Sequence, residues 1–240
     1  SIHRHLSHFG IPGTDLIMQT VGDRERPALN LAPRLAASVA NQNQQERVFT
    51  EVGACCEEDL SLEQVKYLVD WHFVNGIDLI SFHGLAYSMD GFRKFLAGQP
   101  FSVYNNLWSD FDSLADHIEA ISRFLTQHPR SPRVAVLKPH TASRTLSTPC
   151  DPEAPDARVR VDVSLIEISW ELLSSHIDFD LLDEDTAGDC RSADGVLHVG
   201  AASYEVIIIP ECSVVSDAAA ESLRAFAENG GRLVVMGKLP

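Results

Sequence analysis

The first half of the chain alternates short apolar runs with stretches in which apolar residues recur every three or four positions. The apolar runs are too short for helices and are bounded by polar or glycine-containing loops, so they predict strands. The predicted strands cover residues 15–19, 47–50 and 77–82. The helical spacing predicts helices over residues 29–41, 62–73 and 114–125. Strands and helices that alternate with short connections indicate parallel β/α units.

A second set of strands and helices follows a proline-containing linker at residues 128–132. The predicted strands cover residues 133–137, 179–182, 204–210 and 233–236, with a small hairpin arm at 195–199. The predicted helices cover residues 164–175 and 216–228, after an extended loop at 139–156. The run at 204–210 is continuous and β-branched, which predicts a strand buried on both faces. The pattern is typical of an open, flavodoxin-like parallel α/β domain.

The change in composition after Gln127 predicts two domains, residues 1–128 and residues 129–240. Three β/α units are too few to close an eight-stranded barrel, and the chain stops directly after its last predicted strand. We therefore expect a partial (β/α)8 barrel, followed by an α/β domain that is truncated at its end. Strand edges left open by missing units favour association with another chain, so we expect a homo-oligomer.

Composition narrows the classes of partner. The formal net charge of −15 argues against nucleic acid, because binding phosphates requires clustered Lys and Arg. No apolar run approaches the about 20 residues that span a bilayer, so no membrane partner is expected. The five cysteines lack metal-type spacing, which predicts free thiols in a reducing compartment and therefore a cytoplasmic location.

The sequence predicts neither a metal nor an organic cofactor. His3, His5 and His8 have no acidic or thiol partner at helical spacing, which argues against a metal site. No glycine-rich phosphate loop follows Val136, so a flavin or nucleotide is not expected. Cys212 follows a predicted strand but lacks the flanking glycines of a nucleophile turn, so it is not predicted to be catalytic.

Four polar residues fall at the predicted carboxyl ends of the first three strands: Gln19, Glu51, Ser81 and His83. In parallel β/α proteins these ends form one rim, which carries the active site. The alternative for Glu51 is a salt bridge at the rim, and the alternative for His83 is a structural hydrogen bond. Convergence of the four side chains, with no lysine near Glu51 in the sequence, favours a functional site.

Several aromatic residues lie on or after the third predicted strand: Phe82, Tyr87, Phe92, Tyr104 and Trp108. The same stretch contains Asn and Asp side chains. A sugar offers apolar C–H faces together with many hydroxyl groups, so aromatic rings beside polar side chains suit a carbohydrate. The alternative is that these rings simply pack the loop.

Residues 30–88 combine several local patterns: a strand ending Glu-x-x-(Gly/Ala), an Asp-Trp pair before NGID, and a strand ending Phe-His-Gly-x-x-Tyr-Ser. The pair Asn106 and Trp108 follows downstream. This combination resembles the end of the catalytic barrel in clan-A glycoside hydrolases, especially β-galactosidase-like and α-L-rhamnosidase-like members. The second half, from RVAVLKP at 133–139 to YEVIIIPECSVVSDAAAESLRAFAENGGRLVVMG at 204–237, resembles the post-barrel domain of that family.

The resemblance implies the last three β/α units of a bacterial-type glycosidase barrel and a flavodoxin-like (glutamine-amidotransferase-like) domain after it. It implies that Glu51 is one of two carboxylates that hydrolyse an O-glycosidic bond, as nucleophile in a retaining enzyme or general base in an inverting one. The second carboxylate would lie upstream of this chain, so we expect the isolated chain to be inactive. The implied sugar contacts are Gln19, His83, Tyr87 and Trp108.

The run Cys55-Cys56-Glu57-Glu58 departs from the β-galactosidase-like pattern, which tends to be aromatic and glycine-rich there. The departure leaves open the sugar, its anomeric configuration and the choice between retention and inversion. The competing hypothesis is a non-catalytic carbohydrate-binding or scaffolding α/β protein in which Glu51 forms a salt bridge at the rim.

Overall fold

The computed structural model describes residues 2–16, 21–22, 31–56, 60–92, 101–145 and 154–237, with the backbone alone at 154–159. The described helices are α1 (Ile2–Leu6), α2 (Ala32–Asn43), α3 (Leu62–Val74), α4 (Phe111–Gln127), α5 (His140–Thr145), α6 (Ala154–Ser174), α7 (Glu184–Ala187) and α8 (Asp217–Glu228). The described strands are β1 (Gly13–Thr14), β2 (Phe49–Val52), β3 (Leu79–Phe82), β4 (Val134–Lys138), β5 (Phe179–Asp183), β6 (Arg191–Ala193), β7 (Val196–Val199), β8 (Ala202–Tyr204), β9 (Val206–Ile209) and β10 (Arg232–Val235).

The chain divides into two compact units. The first unit comprises Phe9–Ala40 and Gln45–Arg130, and the second unit comprises Ser1–His8, Asn41–Gln44 and Ser131–Pro240. The fold is α/β with parallel sheets, as the sequence predicts. Of the helices in the described ranges, none combines the length and apolarity that a membrane crossing requires.

The first unit contains a parallel sheet with the strand order β1-β2-β3. Helix α3 shows how local sequence builds this unit. A capping box starts the helix: the Ser61 hydroxyl accepts a hydrogen bond from the Gln64 N–H at 3.3 Å, and the Gln64 Oε1 accepts one from the Ser61 N–H at 2.7 Å. The helix ends before Gly76, whose φ of +93° suits glycine. The predicted helix over 62–73 is therefore confirmed.

Two strand predictions in the first unit are shifted. The first strand is Gly13–Thr14, whereas Asp15 and Leu16 lie outside it and residues 17–19 lie outside the described part of the chain. The second strand is Phe49–Val52 instead of 47–50, which places Glu51 inside the strand. The shift has a side-chain cause. The Asp78 carboxylate accepts hydrogen bonds from the Val48 N–H and the Arg47 Nε, at 2.9 and 3.2 Å.

The second unit contains a parallel sheet with the order β10-β9-β4-β5 and an antiparallel sheet with the order β6-β7-β8. One apolar core joins the two sheets and α8, with Leu137, Leu197, Ile207 and Phe226 almost completely buried. Helix α8 begins as predicted, because the Ser216 hydroxyl accepts a hydrogen bond from the Ala219 N–H at 3.3 Å.

The predicted loop at 139–156 and the predicted helix start at Ser164 are both wrong. Helix α5 lies inside the predicted loop, and α6 already begins at Ala154. Ser164 therefore lies at the middle of α6. Its hydroxyl accepts a hydrogen bond at 2.9 Å from the N–H of Glu211, which lies in the loop after β9. Ser164 therefore bonds to a residue distant in sequence and does not cap a helix.

The predicted strand over 204–210 is two strands in two different sheets. Tyr204 ends β8 and pairs with Leu197 in antiparallel register, whereas Val206 begins β9 between β4 and β10. Glu205 separates them, and its N–H donates to the Arg133 carbonyl at 2.9 Å. Within β9 alternate residues are half-buried, so the prediction of burial on both faces is also wrong.

Candidate active site

Glu51 lies near the carboxyl end of β2, the middle strand of the parallel sheet in the first unit. Its neighbours Thr50 and Val52 are almost completely buried, whereas Phe49 and Glu51 are half-buried. The alternation places Glu51 on the sheet face opposite to Thr50 and Val52. The carboxylate is therefore presented at the rim of the sheet.

The carboxyl end of β3 lies beside Glu51. Ser81 is the register partner of Glu51, so the two side chains share a face of the sheet. His83 extends the ladder by one more bond, because its N–H donates to the Val52 carbonyl at 2.9 Å. The predicted convergence of Glu51, Ser81 and His83 at neighbouring strand ends is thus present in the backbone register.

The Glu51 carboxylate makes no hydrogen bond or ion pair within the described part of the chain. The nearest cation in the sequence, Arg47, is held elsewhere. Its Nε and Nη2 donate to the side chain and carbonyl of Asp78 at 3.2 and 3.1 Å. A rim salt bridge from Arg47 to Glu51 is therefore absent from this arrangement.

His83 has a ring nitrogen without a partner. The Nδ1 atom is buried and makes no hydrogen bond in the described part of the chain, although the residue as a whole is only half-buried. The peptide bond from His83 to Gly84 is cis. An imidazole nitrogen can donate or accept one hydrogen bond, and the described residues do not supply a partner for this one.

The turn after Glu51 is built around an aromatic ring. Gly53 has a φ of +86°, and a Cβ atom on it would lie 2.3 Å from the Phe101 ring. Phe101 is 2% exposed, and its N–H donates to the Gly84 carbonyl at 3.2 Å, which ties it to the segment after β3. Phe101 thus supports the loops that follow both strands.

Trp108 belongs to an aromatic cluster that reaches the end of β3. Its ring stacks on Phe111 with centroids 5.7 Å apart, and Phe111 meets Phe82 edge-on at 5.2 Å. Trp108 itself remains 40% exposed, so one part of the indole is free to contact a ligand. The sequence did not predict the roles of Phe101 and Phe111. The only signal in the sequence was that both residues are apolar: Phe101 follows Gln99-Pro100, and Phe111 precedes the apolar spacing of α4.

Tyr87 is completely exposed, at 101% of its reference area. The Tyr104 hydroxyl donates to the Tyr87 carbonyl at 3.2 Å, which fixes the backbone of the loop and leaves the Tyr87 ring in solvent. The alternative that Tyr87 packs the loop is therefore wrong. Gln19, the remaining predicted contact, lies outside the described residues.

Cys212 lies in the loop after β9. The thiol is buried, and burial together with the neighbouring Glu184 raises the pKa of Cys212 to about 11. A thiol with such a pKa is protonated at neutral pH and is a poor nucleophile.

Comparisons with known proteins give matches only among solved structures. No protein-family model matches the chain, and no curated protein sequence matches it significantly. A rhamnosidase from Novosphingobium sp. PP1Y matches with a TM-score of 0.67 and 20% identity, over 99% of this chain and 22% of that chain. A catalytic mutant of Gan42B, a GH42 β-galactosidase from G. stearothermophilus, matches with a TM-score of 0.67 and 17% identity, over 98% of this chain and 34% of that chain.

The predicted resemblance to rhamnosidase-like and β-galactosidase-like enzymes is confirmed at the level of the fold. The chain spans 22% and 34% of the lengths of these two matched structures. The chain has an α/β fold with parallel sheets, and this fold is similar to a part of a rhamnosidase and to a part of a GH42 β-galactosidase.

Proposed function

We propose that the chain is part of a bacterial-type glycoside hydrolase in which Glu51 is one of two catalytic carboxylates. The observation that carries the proposal is the placement of Glu51. Its carboxylate lies at the carboxyl end of a parallel strand, is half-buried, and has no ion pair within the described residues. Parallel β/α enzymes place their catalytic groups at this rim.

The first unit then corresponds to the last three β/α units of a (β/α)8 barrel, and the second to a flavodoxin-like domain after the barrel. The strand order supports the second assignment. Numbered along the chain as 1 to 4, the strands β4, β5, β9 and β10 lie in the order 2-1-3-4, which follows the flavodoxin-like pattern. The assignment of the first unit to a part of a barrel is supported by coverage, since the chain spans only 22% and 34% of the two matched structures.

Hydrolysis of a glycosidic bond requires a second carboxyl group, which the longer protein would supply. In a retaining enzyme Glu51 attacks the anomeric carbon and the second carboxyl group protonates the leaving oxygen, with the two groups about 5–5.5 Å apart. In an inverting enzyme Glu51 activates water, and the separation is about 6.5–9.5 Å. Both routes use an ionised Glu51, and an unpaired carboxylate at the rim is free to take either role.

The substrate in this proposal is a carbohydrate. The exposed Tyr87 ring and the partly exposed Trp108 indole would cover apolar sugar faces, and the unpaired His83 nitrogen would bind a sugar hydroxyl. Gln19 would add a further polar contact. We also propose a cytoplasmic location, which the free thiols of Cys55, Cys56, Cys190 and Cys212 support, and a homo-oligomeric state.

The exposed aromatic rings also fit the second candidate function, a carbohydrate-binding module without catalysis. In that function Tyr87 and Trp108, which are both exposed, would bind a sugar face, and Glu51 would have no role. The two candidates therefore differ in the effect of replacing Glu51 on turnover.

The test uses the full-length protein that contains this chain, with an aryl glycoside as substrate. Glu51→Gln keeps the size of the side chain and removes its charge. We expect turnover to fall by about 10²–10⁴-fold or more. The melting temperature should stay within about 2 °C of the unmodified protein, because this carboxylate makes no stabilising contact.

Glu46→Gln is the matched control, since Glu46 is an exposed glutamate five positions earlier in the chain. We expect it to retain activity. Turnover by Glu51→Gln at the level of Glu46→Gln would refute a catalytic role. Saturable binding of oligosaccharide by a protein with no measurable turnover, lost in Tyr87→Ala, would favour the carbohydrate-binding module instead.

A further inference from the structure

A cluster of one histidine and two aspartates lies at the carboxyl ends of two neighbouring strands in the second unit. Strand β4 ends at Lys138, and His140 begins α5 two residues later. Asp183 is the last residue of β5 and the register partner of Lys138, and Asp185 lies in the first turn of α7. In open parallel sheets, ligands bind in the crevice outside these strand ends.

The distances within the cluster differ from those of hydrogen bonds. The His140 Nδ1 lies 3.7 Å from the Asp183 Oδ1, and the His140 Nε2 lies 3.4 Å from the Asp185 Oδ1. Hydrogen bonds between such groups are about 2.7–3.2 Å long. One ring nitrogen and one oxygen of each aspartate lie within 4.8 Å of one another. Two ligands of one tetrahedral zinc ion are about 3.3 Å apart. The two aspartates lie beside different ring nitrogens, so the exposed Asp185 side chain would move toward the nitrogen that faces Asp183 when one ion binds all three residues.

Two buried atoms in this cluster have no partner within the described part of the chain: the Asp183 Oδ2 and the His140 Nδ1. Asp183 is 1% exposed, and its other oxygen accepts a hydrogen bond from the Asp185 N–H at 3.1 Å. A buried carboxylate oxygen without a partner is unfavourable, because it has lost its water and gained nothing in exchange. A bound cation would satisfy both orphaned atoms.

The surroundings hold the cluster in place. Glu184 is completely buried, and its two oxygens accept hydrogen bonds from the Thr141 N–H at 3.1 Å and the Ser216 N–H at 3.0 Å. The first bond holds the first turn of α5, which begins at His140, against the start of α7, which carries Asp185. The second bond joins the start of α7 to the start of α8. Glu184 itself has both oxygens occupied and is not counted as a ligand.

The local charge also favours a cation. Asp183 and Asp185 carry two negative charges, and Lys138 is the basic residue that acts electrostatically on Asp183. His3, which is 2% exposed, also lies within electrostatic reach of Asp183.

We propose that His140, Asp183 and Asp185 bind a divalent transition-metal ion, with zinc as the best match. One imidazole and two carboxylates form a mixed nitrogen and oxygen set, which suits zinc better than calcium or magnesium, since these prefer oxygen alone. Asp185 also lines a cavity of about 270 Å³ with His3 and Thr186, so water can complete the coordination. The ion would join the first turns of α5 and α7.

The test measures zinc binding by the tag-free protein after dialysis against a chelator. Isothermal titration calorimetry should give one site per chain, and millimolar magnesium should not displace the zinc. Cobalt in place of zinc should give a visible absorption spectrum of a nitrogen and oxygen site. Replacing a residue that only hydrogen-bonds to a metal ligand typically weakens metal binding by about 10–100-fold. Replacing a ligand itself should therefore weaken zinc binding by at least about tenfold.

Two variants each remove one proposed ligand. Asp185→Asn changes a side chain that is 46% exposed, and His140→Gln changes one that is 11% exposed. Asp189→Asn is the matched control, because Asp189 is an exposed carboxylate that lines the same cavity outside the cluster. We expect weakened zinc binding in the first two variants and unchanged binding in the control.

Absence of saturable zinc binding would overturn the proposal, as would equal affinity in all three variants. Loss of binding in His5→Gln with retention in His140→Gln would assign the ion to the N-terminal histidines and would also overturn it. Circular dichroism of the metal-free variants verifies that each is folded. Asp185→Asn keeps the test decisive if His140→Gln fails to fold.

Discussion

At the scale of single residues, Glu51 lacks an ion pair because the nearest basic residue in the sequence is bound to another carboxylate. Arg47 is four positions away, but it is bound to Asp78 through the side chain and the carbonyl. Asp78 is 7% exposed and also accepts the Val48 N–H, so the Arg47 contact is part of a buried arrangement. The unpaired state of Glu51 is thus a consequence of this competing pair.

The thiols give a prediction at the same scale. Burial raises the pKa of Cys56 to about 11 and of Cys190 to about 12, and the pKa of Cys212 is about 11. At pH 8 a thiol of pKa 11 is about one part in a thousand thiolate, so these cysteines should react slowly with iodoacetamide. Cys55 is exposed and should be labelled before these three cysteines.

Mass spectrometry of peptides from a timed labelling reaction measures the rates. Labelling in urea is the control, since unfolding should bring all of the cysteines to similar rates. Modification of Cys212 in the native protein as fast as Cys55 would contradict the assignment of a buried, protonated thiol.

At the scale of elements, the rim of the first unit depends on the turn between β2 and the segment that follows it. Gly53 adopts a left-handed backbone and lies against the Phe101 ring. Phe101 packs on Phe82 with ring centroids 4.8 Å apart, so the turn after β2 and the end of β3 share one aromatic support. A change at Gly53 should therefore disturb the position of Glu51.

We predict that Gly53→Ala destabilises the protein by about 2–4 kcal/mol. About 1–2 kcal/mol is the strain of a left-handed alanine, and the remainder is the contact of the new Cβ with the Phe101 ring. Urea unfolding measures the change. Gly91→Ala is the control, because Gly91 also has a positive φ, of +63°, and has no atom within 4 Å of its Cβ position. A loss no greater than that of Gly91→Ala would contradict the packing role of Phe101.

At the scale of the whole molecule, each unit buries a histidine. His72 is completely buried in α3, with Nδ1 2.7 Å from the Leu68 carbonyl, and His3 is buried in the second unit. Burial lowers the pKa of both below the ordinary value of 6.5, although nearby groups oppose the shift. The unfolded chain therefore binds protons at a higher pH than the folded one. Stability contributed by these groups is complete above pH 6.5 and is lost as the pH falls below it.

We predict that the free energy of unfolding decreases between pH 7.5 and 5.5, by up to about 1.4 kcal/mol per pH unit for each buried histidine. His72→Gln should lower stability at pH 7.5 and give a shallower decrease below pH 6.5. His5→Gln is the control for losing an exposed histidine. Urea titrations at several pH values measure the slopes. Equal slopes in His72→Gln and the unmodified protein would contradict the prediction.

Much of the element order could be predicted from local sequence. The spacing from Leu62 to Phe73 and the pair Ser61 and Gln64 specify α3, because a capping box needs only residues three positions apart. The strand-end rule found Glu51 and His83 in the first unit. Applied to the second unit, the same rule would have found Asp183, the last residue of β5, and His140, two residues after the end of β4. The expectation of no metal considered only the N-terminal histidines.

The sequence by itself determined the alternation of strands and helices, the parallel sheets and the placement of Glu51 near a strand end, because each depends on periodicity within a few residues. Only the tertiary structure decided three other features. Tyr204 and Val206 joined different sheets, and Ser164 bonded to Glu211 instead of starting a helix. His140 met Asp183 and Asp185 because β4 pairs with β5. Each depends on partners more than 40 positions away or on a different sheet, and local spacing carries no information about such contacts.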